Sequence, residues 1–294
     1  MSGNEAPNFP EILLNGISLA VLISSLVLWI LWGYRRLWQA PDFSGMPLRP
    51  WAIGWVNFGI FMCGLVCLVI LVQTIVSLLF GFVFTADMDE AWGMALGALT
   101  LQSSFLLSYY ACRRYFPTLF RGNLSTRSLH AIQAFFTALS FLIRTLPIIG
   151  LVAFLWNYLL EWLIKLGWID SFTPQEAVLV FTSDQSPLAL VILALFAVIV
   201  APLAEEVIFR GCIYRFLKSK LRPHAAMFLS ASLFGFIHGN LMAFIPLAFV
   251  GFLLAYTYEK ERNLLVPIFY HGLFNLFTLS VTILHHLSGN ELPY

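Results

Sequence analysis

The stretch Ala197-Val-Ile-Val-Ala-Pro-Leu-Ala-Glu-Glu-Val-Ile-Phe-Arg210 places two adjacent carboxylates, Glu205 and Glu206, inside an apolar run. Ionisable side chains are costly at membrane depth, and those that occur there usually belong to a functional site. Two later apolar runs each contain a histidine, in Phe234-Gly-Phe-Ile-His238 and His271-Gly-Leu-Phe-Asn275. Three hydrophobic segments therefore carry polar groups that could meet at one level of a membrane.

The composition excludes an ordinary soluble domain. Hydrophobic residues make up 60% of the 294 positions, charged residues 11%, and the mean hydropathy is +0.85. Soluble domains have about 25% charged residues. A membrane-spanning helix needs about 20 apolar residues, so we predict an all-α, polytopic integral membrane helix bundle. A formal net charge of +1 with no basic stripe argues against nucleic acid as a partner.

The hydropathy pattern predicts about eight transmembrane helices in one integrated membrane domain. We expect residues 1–187 to form N-terminal transmembrane helices of unassigned role, and residues 188–294 to carry the site. Arg144 and Pro147 predict an interruption of the fourth span, with 128–143 at the interface and 145–166 crossing. The eight predicted spans are residues 12–34, 55–84, 91–112, 130–165, 188–209, 224–240, 241–258 and 264–284.

Basic residues occur in alternate connections, and this pattern predicts the topology. Under the positive-inside rule, both termini lie outside the cytoplasm, and Glu205 lies near the cytoplasmic end of the fifth span. We therefore expect an active site that faces the cytoplasm. The compact connections favour a bacterial inner (cell) membrane. The basic connections are residues 35–49, 113–127, 215–222 and 260–262, and the acidic ones lie around 87–90 and 170–184.

The two carboxylates are not equivalent. Neighbours on a helix lie about 100° apart, so Glu205 and Glu206 face different directions. Glu206 and Arg210 have the i, i+4 spacing of a same-helix ion pair, which leaves Glu205 free to act as a general base on water. Pro202 lacks a backbone donor, and a kink there would open space for that water.

The histidine motifs add the groups that a hydrolytic reaction needs. His271 and Asn275 project from one helix face, and both could donate to a developing oxyanion. His238 can position a water molecule, and Phe234, one turn earlier, packs against its ring. An acid, two imidazoles and an amide together indicate hydrolysis.

Taken together, Glu205-Glu206-x-x-x-Arg210, Phe234-x-x-x-His238 and His271-x-x-x-Asn275 resemble the motifs of the CPBP (Abi) intramembrane proteases. This family includes type II CAAX prenyl endopeptidases and bacteriocin-processing or immunity proteins. The resemblance covers roughly residues 196–278. It implies a membrane-embedded peptidase that cleaves a membrane-associated, CAAX-like prenylated, or peptide substrate, with lipid as its surroundings.

The resemblance also implies roles for individual residues. Glu205 and His238 would activate water, and His271 with Asn275 would form the oxyanion hole. Glu206, Arg210 and Phe234 would support them. No cofactor is favoured, but an alternative is a zinc protease with three ligands, Glu205, His238 and His271. Two further alternatives are a non-catalytic bacteriocin-immunity or binding protein and a proton-relaying transporter.

Overall fold

The computed structural model describes residues 9–38, 48–83, 90–120, 124–170, 176–183 and 185–289. These residues form helices joined by turns and coil, with no strand among them. Several predicted connections, including residues 84–89 and 171–175, therefore lie outside the described residues. The helices are α1 Phe9–Trp38, α2 Trp55–Val83, α3 Glu90–Tyr115, α4 Ala131–Lys165, α5 Glu176–Phe181, α6 Pro187–Lys218, α7 Pro223–Ile237, α8 Leu241–Glu261 and α9 Leu265–Leu287.

The predicted membrane helix bundle is confirmed. Within the described ranges, six helices are long and apolar enough to cross a membrane, namely α1, α2, α4, α6, α8 and α9. Helix α3 is long but buries polar side chains, and α7 has only 15 residues. Each predicted span thus corresponds to a helix. Helices α3 and α6 pack against each other, so the two halves share a core, and the boundary at 187/188 remains a prediction.

The predicted interruption of the fourth span is wrong, because α4 runs unbroken through Arg144 and Pro147. Proline removes a backbone donor from a helix interior. Near this point α1 supplies side-chain donors. Ser25 Oγ and Trp29 Nε1 donate to the carbonyl oxygen of Arg144 over 3.3 and 3.0 Å. The carbonyl that Pro147 deprives of its α-helical donor is that of Ile143, one residue earlier, so these two bonds fasten α1 to α4 beside the proline.

Helices α7 and α8 form a tight hairpin. Pro223 occupies the first turn of α7, where its missing N–H costs nothing. Gly239 adopts a left-handed φ of 62° at the turn, and Asn240 caps α8 by accepting the Ala243 N–H over 2.9 Å. The turn that the sequence predicted at Gly239–Asn240 is therefore present, and it places His238 directly beside the tip of the hairpin.

Helix α6 contains two π-helical stretches, Phe196–Val200 and Val207–Tyr214. The first ends where the sequence predicted a kink. The Ala201 N–H bonds to the carbonyl of Phe196, and Pro202 has no N–H. The carbonyl of Ala197 thus loses its usual helical donors. It accepts instead from the side-chain amide of Asn275 on α9, over 2.8 Å.

The close contact between α6 and α9 depends on a glycine. A Cβ added to Gly272 would lie 2.5 Å from the carbonyl oxygen of Val198. We expect Gly272→Ala to destabilise the fold by about 1–3 kcal/mol, because backbone must move to relieve the overlap. The measurement is the thermal unfolding midpoint in one detergent. Gly150→Ala on α4 is the matched control, since its Cβ would meet nothing within 4 Å, and equal shifts would contradict this account.

Candidate active site

Helix α6 directs its two carboxylates to different places, as the sequence predicted. The Glu205 side chain is 12% exposed and lines a cavity, whereas Glu206 is completely buried. The cavity has a volume of about 480 Å³ and mainly apolar walls. It brings together five of the seven candidate residues from α6, α9 and the C-terminal end of α7, namely Glu205, Phe234, His238, His271 and Asn275. Glu206 and Arg210 lie behind its wall.

Glu206 and Arg210 form the ion pair predicted from their spacing. Arg210 Nη1 donates to Glu206 Oε1 over 2.8 Å, and both side chains are 0% exposed. Arg210 Nη2 donates to the carbonyl of Gly251 on α8 over 3.0 Å, and its guanidinium lies 4.5 Å from the centre of the Phe234 ring. The pair therefore ties α6 to α7 and α8 directly behind the cavity.

Both imidazoles are oriented by acceptors at Nδ1. His271 Nδ1 lies 3.0 Å from Glu206 Oε1, and His238 Nδ1 lies 2.7 Å from the carbonyl oxygen of Phe234. Because a carboxylate and a carbonyl can only accept, we assign the Nδ1 proton to each ring. Nε2 is then the nitrogen left for chemistry. His271 Nε2 lies 4.0 Å from Glu205 Oε2.

Phe234 packs against both imidazoles. Its ring centre is 4.8 Å from that of His238 and 5.6 Å from that of His271, edge-on in both cases. The side chain is fully buried. Phe234 thus restricts the rotation of both rings, which is the packing role that the sequence predicted for His238, extended to His271.

Gln102 is a site residue that the sequence analysis missed. It lies on α3, is 3% exposed, and donates from Nε2 to Glu205 Oε1 over 3.0 Å. The available signal was the polar run Gln102-Ser103-Ser104 inside an apolar segment, because polar side chains within spans usually face a cavity or a neighbouring helix. The N-terminal half of the chain therefore contributes a contact to the candidate site.

The arrangement does not fit a zinc ion as it stands. Hydrogen-bonded Nδ1 atoms are typical of histidines that bind metals through Nε2, so the orientation of the two rings is compatible with ligation. Across the part of the chain that the structure describes, however, no three His, Cys, Asp or Glu side chains are placed to hold a metal together. The alternative set Glu205, His238 and His271 does not converge in this way.

The cavity extends toward one end of the bundle. On α6 its lining runs from Leu193 to Glu205, and on α9 from His271 to Thr282. Both directions lead away from the basic connections. On the other side of the site, Arg210, Tyr214 and Tyr258 are all 0% exposed and close the bundle. The lining does not support the expectation that the site opens at the basic end.

A known family matches the segment of the chain that carries the seven candidate residues. Residues 187–277 match the family described as "Type II CAAX prenyl endopeptidase Rce1-like". The resemblance to CPBP proteases is thereby confirmed for this segment, which begins with α6 and ends within α9.

An individual relative also matches. The chain is 35% identical over 81 residues to a Bacillus subtilis (strain 168) protein named "Putative membrane peptidase YdiL". The match covers 28% of this chain and 33% of the relative, so it spans about a third of that protein. No solved structure matches the chain.

Proposed function

We propose that this protein is a membrane-embedded endopeptidase that hydrolyses a peptide bond in a peptide or lipidated protein substrate. One observation supports this proposal most directly. Four polar side chains line one cavity with a buried ion pair behind it, namely Glu205, His238, His271 and Asn275. The family match and the name of the bacterial relative support the same activity.

In the proposed reaction, Glu205 is the general base. Gln102 holds one carboxylate oxygen, which leaves Oε2 to take a proton from water. His238 orients that water, and its oxygen attacks the substrate carbonyl carbon. When the tetrahedral intermediate collapses, the C–N bond breaks and Glu205 returns the proton to the leaving amine nitrogen. The reaction consumes one water molecule for each peptide bond cleaved, and Glu205 ends in its starting state.

The oxyanion of the intermediate would be stabilised by His271 and Asn275. Since Nδ1 of His271 faces Glu206, donation from Nε2 requires the doubly protonated ring, for which the Glu206 carboxylate is the counter-ion. One N–H of the Asn275 amide is used on Ala197, and the second remains for the substrate. Glu206 therefore contributes by orienting His271. The carbonyl of Ala197 contributes by holding the Asn275 amide in place.

The test of the function is cleavage by the purified full-length chain. A peptide library and a farnesylated CAAX reporter, each with its unmodified counterpart, would be incubated with wild type and His238→Ala and read by mass spectrometry. We expect cleavage by wild type alone. Equal processing by both proteins would remove the peptidase assignment, and binding without cleavage by wild type would favour the immunity or binding alternative.

The proposed mechanism uses no metal ion. Chelation and metal analysis test this part of the proposal. We expect treatment with 1,10-phenanthroline followed by its removal to leave the cleavage rate unchanged, because no step depends on a Lewis acid. Zinc content would be determined on the same detergent-purified samples. One zinc per chain that disappears in His238→Ala would establish the zinc alternative.

The protein is an integral membrane protein, and its orientation belongs to the proposal. We place it in a bacterial cell membrane with the basic connections in the cytoplasm. The lining of the cavity then supports access from the opposite side, in place of the cytoplasmic access expected from the sequence.

Labelling of single cysteines would test this orientation. In a background with all four native cysteines replaced by alanine, we expect a membrane-impermeant maleimide added to intact cells to label Trp168→Cys and to spare Lys220→Cys. Both positions are exposed, at the acidic and the basic end respectively. Labelling of Lys220→Cys but not of Trp168→Cys would instead indicate that the cavity opens toward the cytoplasm.

A further inference from the structure

The Gln102 amide has two polar atoms, and only one of them is paired. Its Nε2 donates to Glu205 Oε1 over 3.0 Å. Its oxygen Oε1 is buried and has no hydrogen-bond partner within the described ranges of the chain. Because a carboxylate can only accept, Nε2 must be the amide atom that faces Glu205. The atom without a partner is therefore an acceptor, and it belongs to a side chain that contacts the candidate base.

The packing around Gln102 holds this acceptor in place. The side chain is 3% exposed, and α3 packs against α6. The polar neighbours on α3 bond to their own helix, because Thr100 Oγ1 donates to the carbonyl of Leu96 and Ser104 Oγ to that of Thr100. Gln102 instead reaches across to α6. A buried amide oxygen is costly to leave unpaired, so we looked for the state of the site in which it has a donor.

Glu205 supplies such a donor once it carries a proton. Its Oε2 lies 4.0 Å from His271 Nε2, which is beyond hydrogen-bond distance. A carboxyl group that gains a proton on Oε2 becomes a donor there and remains an acceptor at Oε1. It then complements an amide, which donates through Nε2 and accepts at its own Oε1. The two side chains can close a hydrogen-bonded ring that is open while Glu205 is ionised.

We propose that Gln102 is a positioning residue that pairs with Glu205 in both of its protonation states. In the resting site, the amide donates to the carboxylate. As the O–H bond of water breaks, its proton forms a bond to Glu205 Oε2, and this new O–H donates to Gln102 Oε1. When the proton moves on to the leaving amine nitrogen, the starting pair returns. The inference rests on the proposed function, because that function has Glu205 carry the proton.

The two hydrogen bonds differ in their effect on the reaction. The bond to Gln102 Oε1 exists only after proton transfer has begun, so it stabilises the transition state more than the bound substrate. Loss of such a bond lowers kcat and leaves KM unchanged. A purely structural role for Gln102 would change stability and would not depend on the carboxyl group of Glu205.

The test is steady-state kinetics of the full-length chain on a reporter peptide that wild type cleaves. Gln102→Met keeps the length of the side chain and removes both polar atoms of the amide. We expect kcat to fall about tenfold, the usual size of one hydrogen bond, with KM unchanged. In a Glu205→Gln background no carboxyl group receives the proton. There Gln102→Met should lower kcat by no more than about twofold, which is the signature of two coupled residues.

Gln73→Met is the matched control. Gln73 lies on α2, and its Nε2 donates to the carbonyl of Gly97 on α3 over 3.1 Å. This variant therefore also removes a hydrogen bond between helices, at a position that does not line the cavity. It should keep the wild-type kcat. Thermal unfolding midpoints accompany every variant, and Gln102→Leu repeats the measurement should Gln102→Met fail to fold.

Three results would overturn the role of Gln102 while leaving the peptidase activity in place. They are an unchanged kcat in Gln102→Met, an equal fall in kcat with and without the Glu205 carboxyl group, and an equal fall in Gln73→Met. A rise in KM at constant kcat would also overturn it, since that pattern belongs to substrate binding. Failure of wild type to cleave any peptide would overturn the proposed function and this inference together.

Discussion

Replacement of Glu205 by glutamine is expected to lower the rate of peptide hydrolysis by about 10³-fold. General-base catalysis contributes typically 10²–10⁴-fold, and glutamine keeps the size of the side chain while removing its ability to accept the proton. The Gln102 amide can still donate to the new carboxamide oxygen, so the fold should not change. The measurements are kcat on a cleaved reporter peptide and the thermal unfolding midpoint.

Glu161→Gln is the control for this experiment, because Glu161 is an exposed carboxylate on α4 and lies outside the cavity. It should retain the wild-type rate. If Glu205→Gln also retained that rate with an unchanged midpoint, Glu205 would not be the base. A large fall in the midpoint of Glu205→Gln would instead assign the carboxylate a structural role.

Arg210→Met is expected to cost about 3–5 kcal/mol of stability, the usual penalty for removing one partner of a fully buried ion pair. Glu206 would keep His271 as a neighbour but lose its cation, and the carbonyl of Gly251 would lose a donor. Unfolding of wild type and variant by denaturant in mixed micelles gives the difference in free energy.

Two comparisons sharpen this prediction. The double variant Glu206→Gln/Arg210→Met should recover part of the loss, since it leaves no buried unpaired charge. Arg127→Met removes the Arg127–Glu261 pair, in which the Arg127 side chain is 48% exposed, and should cost no more than about 1 kcal/mol. Similar losses of unfolding free energy for Arg127→Met and Arg210→Met would contradict the expectation that a buried pair is costlier to break than an exposed one.

Much of the fold could be predicted because membrane spans are defined by length and apolarity, properties of the local sequence. The same holds for the Glu206–Arg210 pair and the Gly239–Asn240 turn, which depend only on neighbours within four residues. The continuity of α4 could not be predicted in this way. Helix α4 packs there against α1, whose side chains donate to the carbonyl of Arg144. These donors are more than a hundred residues away in the sequence.

The candidate site, like the fold, could be predicted only where it depends on the local sequence. Three motifs identified five of the residues that line the cavity, because ionisable groups in apolar runs stand out. Gln102 did not stand out, since one amide in a span has no recognisable partner until α3 is packed against α6. The direction of the cavity was equally hidden, because it depends on which side of the site is filled by Tyr214 and Tyr258. The roles of the predicted site residues stay predictions until the variants are measured.

The hydrogen bond from Gln102 to Glu205 makes the candidate base depend on a helix outside the segment that matches the family. The family signature lies between residues 187 and 277, yet one oxygen of its first acid is held from a helix outside that signature. A substitution on α3 would therefore release Glu205 Oε1 while all three motifs stay intact. A transplant of the signature helices onto a foreign N-terminal half would preserve the motifs and lose this restraint.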